Sequence, residues 1–289
     1  MLEGAVPLPA DVADGPPPEI VFRRKLHLVS LLRELWAARE LIGTLTERNL
    51  RSRYKQTFLG FTWSLITPVT LMVVFTVFLG RVANIDTSGV PYPIFAYVGL
   101  LPWSFFSNAV SASSTVILTN NSLLNKIYCP REVFPISTIT SAAVDTLCAI
   151  LALFLLFAVT PYAPTAGVVW VPALTVVLVL FTLGVCLVLS ALTVYLRDLR
   201  YGVGILIQLG LFATPVAYSM TTMVSKQWQP LYAAVNPLGP VIQGYRDTVL
   251  LGLEPEFGLL GIATASSIAW VVVGYAVFKR LETGFSDVA

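Results

Sequence analysis

Uncharged, predominantly apolar runs recur along this chain from Gln56 to Gly80, Thr87 to Asn125, Thr146 to Leu196, Tyr201 to Ser225 and Phe257 to Phe278. A helix crossing a bilayer core takes about 20 apolar residues. The first, fourth and fifth runs therefore predict one span each. The second turns polar after Leu118 and predicts one more. The third joins the end of a span starting near Val133 to a complete later span, with the Pro161-Tyr162-Ala163-Pro164 turn between them. The pattern predicts an all-α integral membrane protein with six transmembrane helices, and an even number puts both termini on one side.

Shorter elements flank these spans. Leu28, Leu31, Leu32, Leu35 and Trp36 repeat at helical spacing, which predicts an amphipathic helix lying at the membrane interface. Gly43 is expected to interrupt it, and Thr44-Leu45-Thr46-Glu47 matches a capping box that would start a second helix bearing Arg48, Arg51 and Lys55. Between the second and third spans, Asn120 or Asn121 can cap a short helix through Lys126, before Pro135 restarts the chain into the membrane. After the fifth span, Trp228, Leu231, Tyr232 and Val235 precede a break at Asn236-Pro237, and a second apolar piece runs from Val241 to Leu250. Neither piece reaches spanning length. Two short helices dipping back from the outer face fit them, since irregular backbone at membrane depth must be sheltered by protein. The resulting division is a flexible tail over 1–24, pre-membrane helices over 25–58, a six-span domain over 59–283 and a short tail over 284–289.

Charge orients the spans. Of the 18 Lys and Arg residues, only Arg81, Lys226 and Arg246 fall on one side, and the positive-inside rule places the other side, with both termini, in the cytoplasm. At 56% hydrophobic and 12% charged, the chain is not an ordinary soluble domain. None of its three cysteines suggests a disulfide framework. Nothing in it predicts a nucleic-acid partner.

Candidate chemistry sits within the spans. Asp145 is the one charge deep in a span, where insertion costs roughly 2.5–3.5 kcal/mol, so it should face the bundle interior. Ser137, Ser141, Asp145 and Cys148 form one polar stripe, and Ser104, Asn108, Ser111 and Thr115 form another. Such stripes either glue helices together or line a polar route. Tyr92, Phe95, Tyr97, Trp103, Phe105 and Phe106 read mostly as an interfacial aromatic belt. The basic face of Arg48, Arg51 and Lys55 is either a juxtamembrane stop signal or a surface for anionic headgroups. No phosphate-binding loop, metal-ligand pattern or orienting His-acid pair appears, so the chain has no ATPase of its own and no recognisable catalytic site.

Several linked motifs resemble a family. Arg48-Asn49-Leu50-Arg51-Ser52-Arg53-Tyr54-Lys55-Gln56-Thr57-Phe58-Leu59-Gly60, with Trp63 and Pro68, looks like the first segment of ABC-2-type permeases that export polysaccharides. Leu123 to Pro135, including Cys129-Pro130-Arg131-Glu132, resembles their coupling-helix segment. Tyr195-Leu196-Arg197-Asp198-Leu199-Arg200 and the run from Asn236-Pro237-Leu238 to Tyr245-Arg246 match in order and spacing. The resemblance implies a homodimer, each copy paired with a separate ABC ATPase that would bind the ATP and magnesium, while this chain binds no cofactor. It implies a coupling helix over about 120–129, with Asn121, Leu124, Asn125, Lys126, Tyr128, Arg131 and Glu132 meeting the ATPase. Arg48, Arg51, Arg53 and Lys55 would attract a polyprenyl diphosphate. Ser104, Asn108, Ser111, Thr115, Ser141 and Asp145 would line the path. Trp228, Tyr232, Asn236, Pro237, Tyr245 and Arg246, in external helices over about 225–251, would form an outer gate. The substrate class implied is a lipid-linked polysaccharide such as an O-antigen, a teichoic acid or a galactan, exported across the bacterial inner membrane. An ABC-2 exporter of a small lipid or drug shares the topology. A secondary transporter would need repeats or buried ions, and a membrane-bound transferase would need clustered acids or histidines.

Overall fold

Among the described residues, five helices are long and apolar enough to cross a bilayer: Thr62–Val82, Tyr92–Thr119, Val133–Val159, Ala166–Tyr195 and Phe257–Glu282. The computed structural model describes residues 35–55, 60, 62–83, 87, 89–124 and 129–285, apart from the side chains of residues 122 and 124. Within these residues every regular element is helical, with no strand. We label the helices α1 (Arg39–Tyr54), α2 (Thr62–Phe75, running on as a π-helical turn Thr76–Val82), α3 (Tyr92–Thr119), α4 (Asn121–Leu124) and α5 (Val133–Val159). They continue with α6 (Val171–Tyr195, entered through a 3-10 turn Ala166–Trp170), α7 (Leu199–Ala213), α8 (Met220–Met223), α9 (Gln229–Val235), α10 (Leu238–Arg246, continuing as a π turn Asp247–Leu251) and α11 (Phe257–Glu282).

Helix α3 forms the centre, packed against α2, α5, α6, α7 and α10. Its position explains why its aromatics are not an interfacial belt. Phe95, Tyr97, Trp103 and Phe105 are all buried, and the Tyr97 hydroxyl donates to the Ala149 carbonyl of α5 at 2.8 Å. A belt needs a lipid-facing helix, and α3 has almost no lipid-facing surface at that depth. The tightest helix pair is α6 with α11. A Cβ placed on Gly274 would lie 2.4 Å from the Gly184 carbonyl oxygen, so both positions need glycine for the backbones to touch.

The run expected to be the fifth span, Tyr201 to Ser225, is instead a helix of 15 residues followed by a break. At about 1.5 Å per residue it measures roughly 22 Å, short of the ~30 Å hydrocarbon core. The cause is local. Thr214 precedes Pro215 and is extended, with ψ of 140°, because the proline ring disfavours a helical residue before it. That break leaves carbonyls without helical donors, and one side chain collects them. Arg246 is 1% exposed and donates to the carbonyls of Pro215 (2.9 Å), Val216 and Tyr218 (2.7 Å), and to Phe95 of α3 (3.2 Å). Its guanidinium also lies 3.9 Å from the Phe95 ring centroid. A planar fork with five donors suits this task, and an ammonium does not.

Helix α1 runs uninterrupted through Gly43, unlike the expected break and capping box. The Thr44 hydroxyl donates back to the Glu40 carbonyl at 2.9 Å instead of capping a new helix, and Glu47 pairs with Arg51 one turn on. Packing decides this. Leu41, Ile42 and Leu45 join Val116, Phe134 and Phe285 in one apolar cluster, and burial of that face outweighs the cost of a mid-helix glycine, about 1 kcal/mol. Of the expected interfacial helix, only Leu35 and Trp36 fall among the described residues. Between α7 and α11, the short helices α9 and α10 meet at Asn236-Pro237, and neither has the length of a span.

Candidate functional site

A polar cavity of about 630 Å³ opens between α1, α3 and α7, lined by Arg53, Asn108, Ser111, Thr115, Arg200 and Tyr201. Its volume lies within the ~300–1,000 Å³ range of small-molecule sites. Each wall follows from the helix that carries it. Asn108, Ser111 and Thr115 recur every three or four residues on α3, so they share a face, and Asn108 and Ser111 are exposed in a helix that is otherwise mostly buried. Arg200 and Tyr201 occupy the first turn of α7. The Arg200 guanidinium stacks 4.6 Å from the Tyr201 ring centroid and donates to its hydroxyl at 2.8 Å. Arg53 comes from the last turn of α1.

Arg53 is held from behind. Its Nη1 donates to Asp145 Oδ2 at 2.8 Å, and the Tyr54 hydroxyl donates to Asp145 Oδ1 at 2.9 Å. Asp145 is 4% exposed and Arg53 34%, so the carboxylate is sequestered and the guanidinium still reaches the cavity. An arginine carries five N–H donors, and the same side chain both binds Asp145 and lines the cavity. Two guanidinium groups thus border a wall of neutral hydroxyls and one amide. The arrangement suits an anion anchored at the rim beside a chain of hydroxyl-bearing groups. It offers no nucleophile with an orienting base, and no cluster of His, Cys, Asp or Glu that could hold a metal exists among the described residues.

The expected path residues divide. Asn108, Ser111 and Thr115 converge on the cavity, whereas Ser104 does not line it. Ser141 is buried with its hydroxyl bonded to the Ser137 carbonyl at 2.8 Å, and Asp145 faces α1. Of the basic set, Arg48 donates to the Asn120 side-chain oxygen, Arg51 pairs with Glu47 in the open, and Lys55 is exposed; Arg53 alone lines the cavity. In the expected coupling segment, Asn121 and Leu124 belong to α4, while Asn125, Lys126 and Tyr128 lie outside the described residues. Arg131 donates to the Glu282 carbonyl and sits 5.6 Å over the Phe285 ring, and buried Glu132 pairs with Lys279 of α11.

The expected outer-gate residues are tied down except for Trp228, which is 57% exposed. The Tyr232 hydroxyl donates to the Ala213 carbonyl at 2.8 Å, and Asn236 Nδ2 to Thr214 Oγ1 at 2.9 Å, stapling α9 to the end of α7. Tyr245 and Thr175 hydroxyls lie 2.7 Å apart. Pro237 starts α10. Arg246 is the buried hub described above.

Arg200, Tyr201 and Lys279 are functional candidates that pattern reading did not single out. Arg200 was visible as part of a charged loop, Arg197-Asp198-Leu199-Arg200, but nothing local says which of its residues turns inward.

Comparison with known proteins gives a consistent picture. The family described as ABC-2 type transporter matches residues 40–250. The O-antigen export system permease protein RfbA of Myxococcus xanthus is 31% identical over 264 residues, covering 90% of this chain and 99% of that protein. A protein of the same description from Klebsiella pneumoniae is 28% identical, covering 86% of this chain and 95% of its own length. The polysialic acid transport protein KpsM of Escherichia coli is 23% identical, with coverage of 81% and 91%.

Proposed function

This chain belongs to the ABC-2 type transporter family, and from that premise we propose that it is the membrane permease of an ATP-driven exporter of a polyprenyl-diphosphate-linked polysaccharide. The observation that carries the reading is the cavity walled by Arg53 and Arg200 and floored by Asn108, Ser111 and Thr115. A diphosphate needs cations, and guanidinium groups recognise phosphate with paired N–H donors. Sugars need many weak, replaceable hydrogen bonds, because conduction requires sites that hold the cargo and release it. Hydroxyl and amide side chains at successive helix turns supply such sites. Tyr201 adds a flat ring at the same rim. O-antigen and polysialic acid, named in the relatives, are both polysaccharides, which favours a glycan over a small lipid or drug.

In this reading the permease works as a homodimer in the bacterial inner membrane, with both termini cytoplasmic. A separate ABC ATPase, holding ATP and magnesium, docks on the segment from Asn121 to Glu132, including Leu124, Asn125, Lys126 and Tyr128. Arg48, Arg51 and Lys55 collect the anionic carrier lipid at the interface and pass it to Arg53 and Arg200. The segment from Trp228 to Arg246 closes the outer side. Cells depleted of the protein accumulate the lipid-linked glycan internally and lose it from the surface. The Arg53→Ala/Asp145→Asn/Arg200→Ala variant, which leaves no unpaired buried carboxylate, does the same while still co-purifying with the ATPase. Normal surface glycan in depleted cells overturns the reading.

A further inference from the structure

The segment expected to meet the ATPase is joined covalently to α3 through α4 and to α5, so these helices are the obvious recipients of its motion. A third helix is joined to it without a covalent link. Glu132, 2% exposed, forms an ion pair with Lys279 near the end of α11. Its second carboxylate oxygen, Oε2, finds no hydrogen-bond donor among the described residues. Neighbouring contacts bind the same two segments: Arg131 donates to the Glu282 carbonyl and stacks on Phe285, which packs edge-on against Phe278 with centroids 5.6 Å apart. Buried ion pairs are weak sources of net stability compared with apolar packing, and their better-attested role is to fix register between elements.

We infer that the Glu132–Lys279 pair is the joint through which the ATPase-facing segment drives α11, and that α11 carries the movement to the outer helices. This rests on the exporter reading above. Three features suit α11 to the task. Its 26 residues contain no proline, and at about 1.5 Å per residue they reach roughly 39 Å, longer than the hydrocarbon core. At its outer half, the Ser266 hydroxyl donates to the Ala234 carbonyl of α9 at 2.6 Å, and Leu259 packs with Ala233 and Met220. Between these ends, α11 meets α6 backbone to backbone at Gly184–Gly274, the contact about which it would pivot.

Lys279 also explains how the joint can have two settings. Its ammonium contacts Glu282 Oε2 at 2.7 Å on its own helix, as well as Glu132. When the ATPase withdraws Glu132, Lys279 stays neutralised by Glu282, so opening the joint does not strand a buried cation. Two discrete arrangements of one ion are what a coupling element requires. Lys279 and Glu132 are therefore positioning residues and touch no substrate.

The test uses the full permease–ATPase complex in proteoliposomes. Glu132→Gln/Lys279→Met removes the pair without leaving a lone buried charge. The expected result is at least a tenfold fall in glycan exported per ATP hydrolysed. The reversed pair, Glu132→Lys/Lys279→Glu, keeps a cation among carboxylates and restores the ratio. Nitroxide labels at Val169→Cys and Val235→Cys, in a background lacking Cys129 and Cys148, report the outer helices directly. Their distance shifts with a non-hydrolysable ATP analogue in the parent protein and does not shift in the neutral-pair variant. An unchanged export ratio in the neutral pair, no restoration by the reversed pair, or a label shift that survives the neutral pair overturns the joint. If the parent complex exports no glycan at all, the exporter reading fails, and the label distances still decide whether the joint exists.

Discussion

Arg53 and Arg246 are the same residue type used in opposite ways. Arg246 is 1% exposed, its donors are consumed by four backbone carbonyls, and it faces the ring of Phe95. Arg53 is 34% exposed, is braced by one buried carboxylate, and borders an open polar cavity. The region around Arg246 is a closed structure in which the cation repairs a broken helix. The region around Arg53 leaves its guanidinium at the edge of a polar cavity. A sequestered arginine is thus read by its partners: saturated by carbonyls it is architecture, and partly satisfied beside a cavity it is a candidate binding group.

The sharpest way to break this comparison is at Arg246. Arg246→Ala strands several buried carbonyls, each costing about 1–3 kcal/mol, so the protein should fail to accumulate in membranes. Arg246→Lys should rescue little, because an ammonium cannot span the same carbonyls. Yield and thermal melting of detergent-extracted protein measure both. Asp145→Ala comes next: removing one partner of a buried pair costs about 3–5 kcal/mol, reduced here because Arg53 is one-third exposed. Its melting temperature should fall, and Arg53→Met/Asp145→Leu should recover stability without recovering export.

Arg200→Ala isolates the binding role. Its partner is a neighbouring phenol rather than a buried carboxylate, so melting should be nearly unchanged while export falls about tenfold, the worth of roughly 1.4 kcal/mol of binding or transition energy. Arg200→Lys should recover part of it. The smallest effect belongs to Arg51, whose pair with Glu47 is exposed on both sides. Arg51→Ala should alter stability by less than about 0.5 kcal/mol, and its export defect should be smaller than that of Arg200→Ala. A large stability loss at Arg200, or a benign Arg246→Ala, would erase the distinction between the two regions.

Much of this is legible in the sequence. Apolar runs located five of the six expected spans, because length and composition decide whether a segment can cross a bilayer, and the insertion cost of Asp145 marks it as inward-facing. The α3 stripe was legible because helical periodicity places Asn108, Ser111 and Thr115 together. What the sequence does not carry is pairing. Nothing in the sequence joins Arg53 to Asp145 or Glu132 to Lys279, which lie 92 and 147 positions apart. The α3 aromatics were misassigned for the same reason: a Trp or Tyr near a membrane surface looks alike whether lipid or another helix covers it.

The sequence by itself determined the membrane character and the polar faces, because these depend on local composition and period. The tertiary structure decided that Thr214-Pro215 ends a helix short of the bilayer's width, that Gly43 is carried through α1, and that Arg246 is consumed by carbonyls while Arg53 borders a polar cavity. Each of those outcomes turns on which distant atoms satisfy a charge, a carbonyl or an apolar face, and only folding brings those atoms within reach.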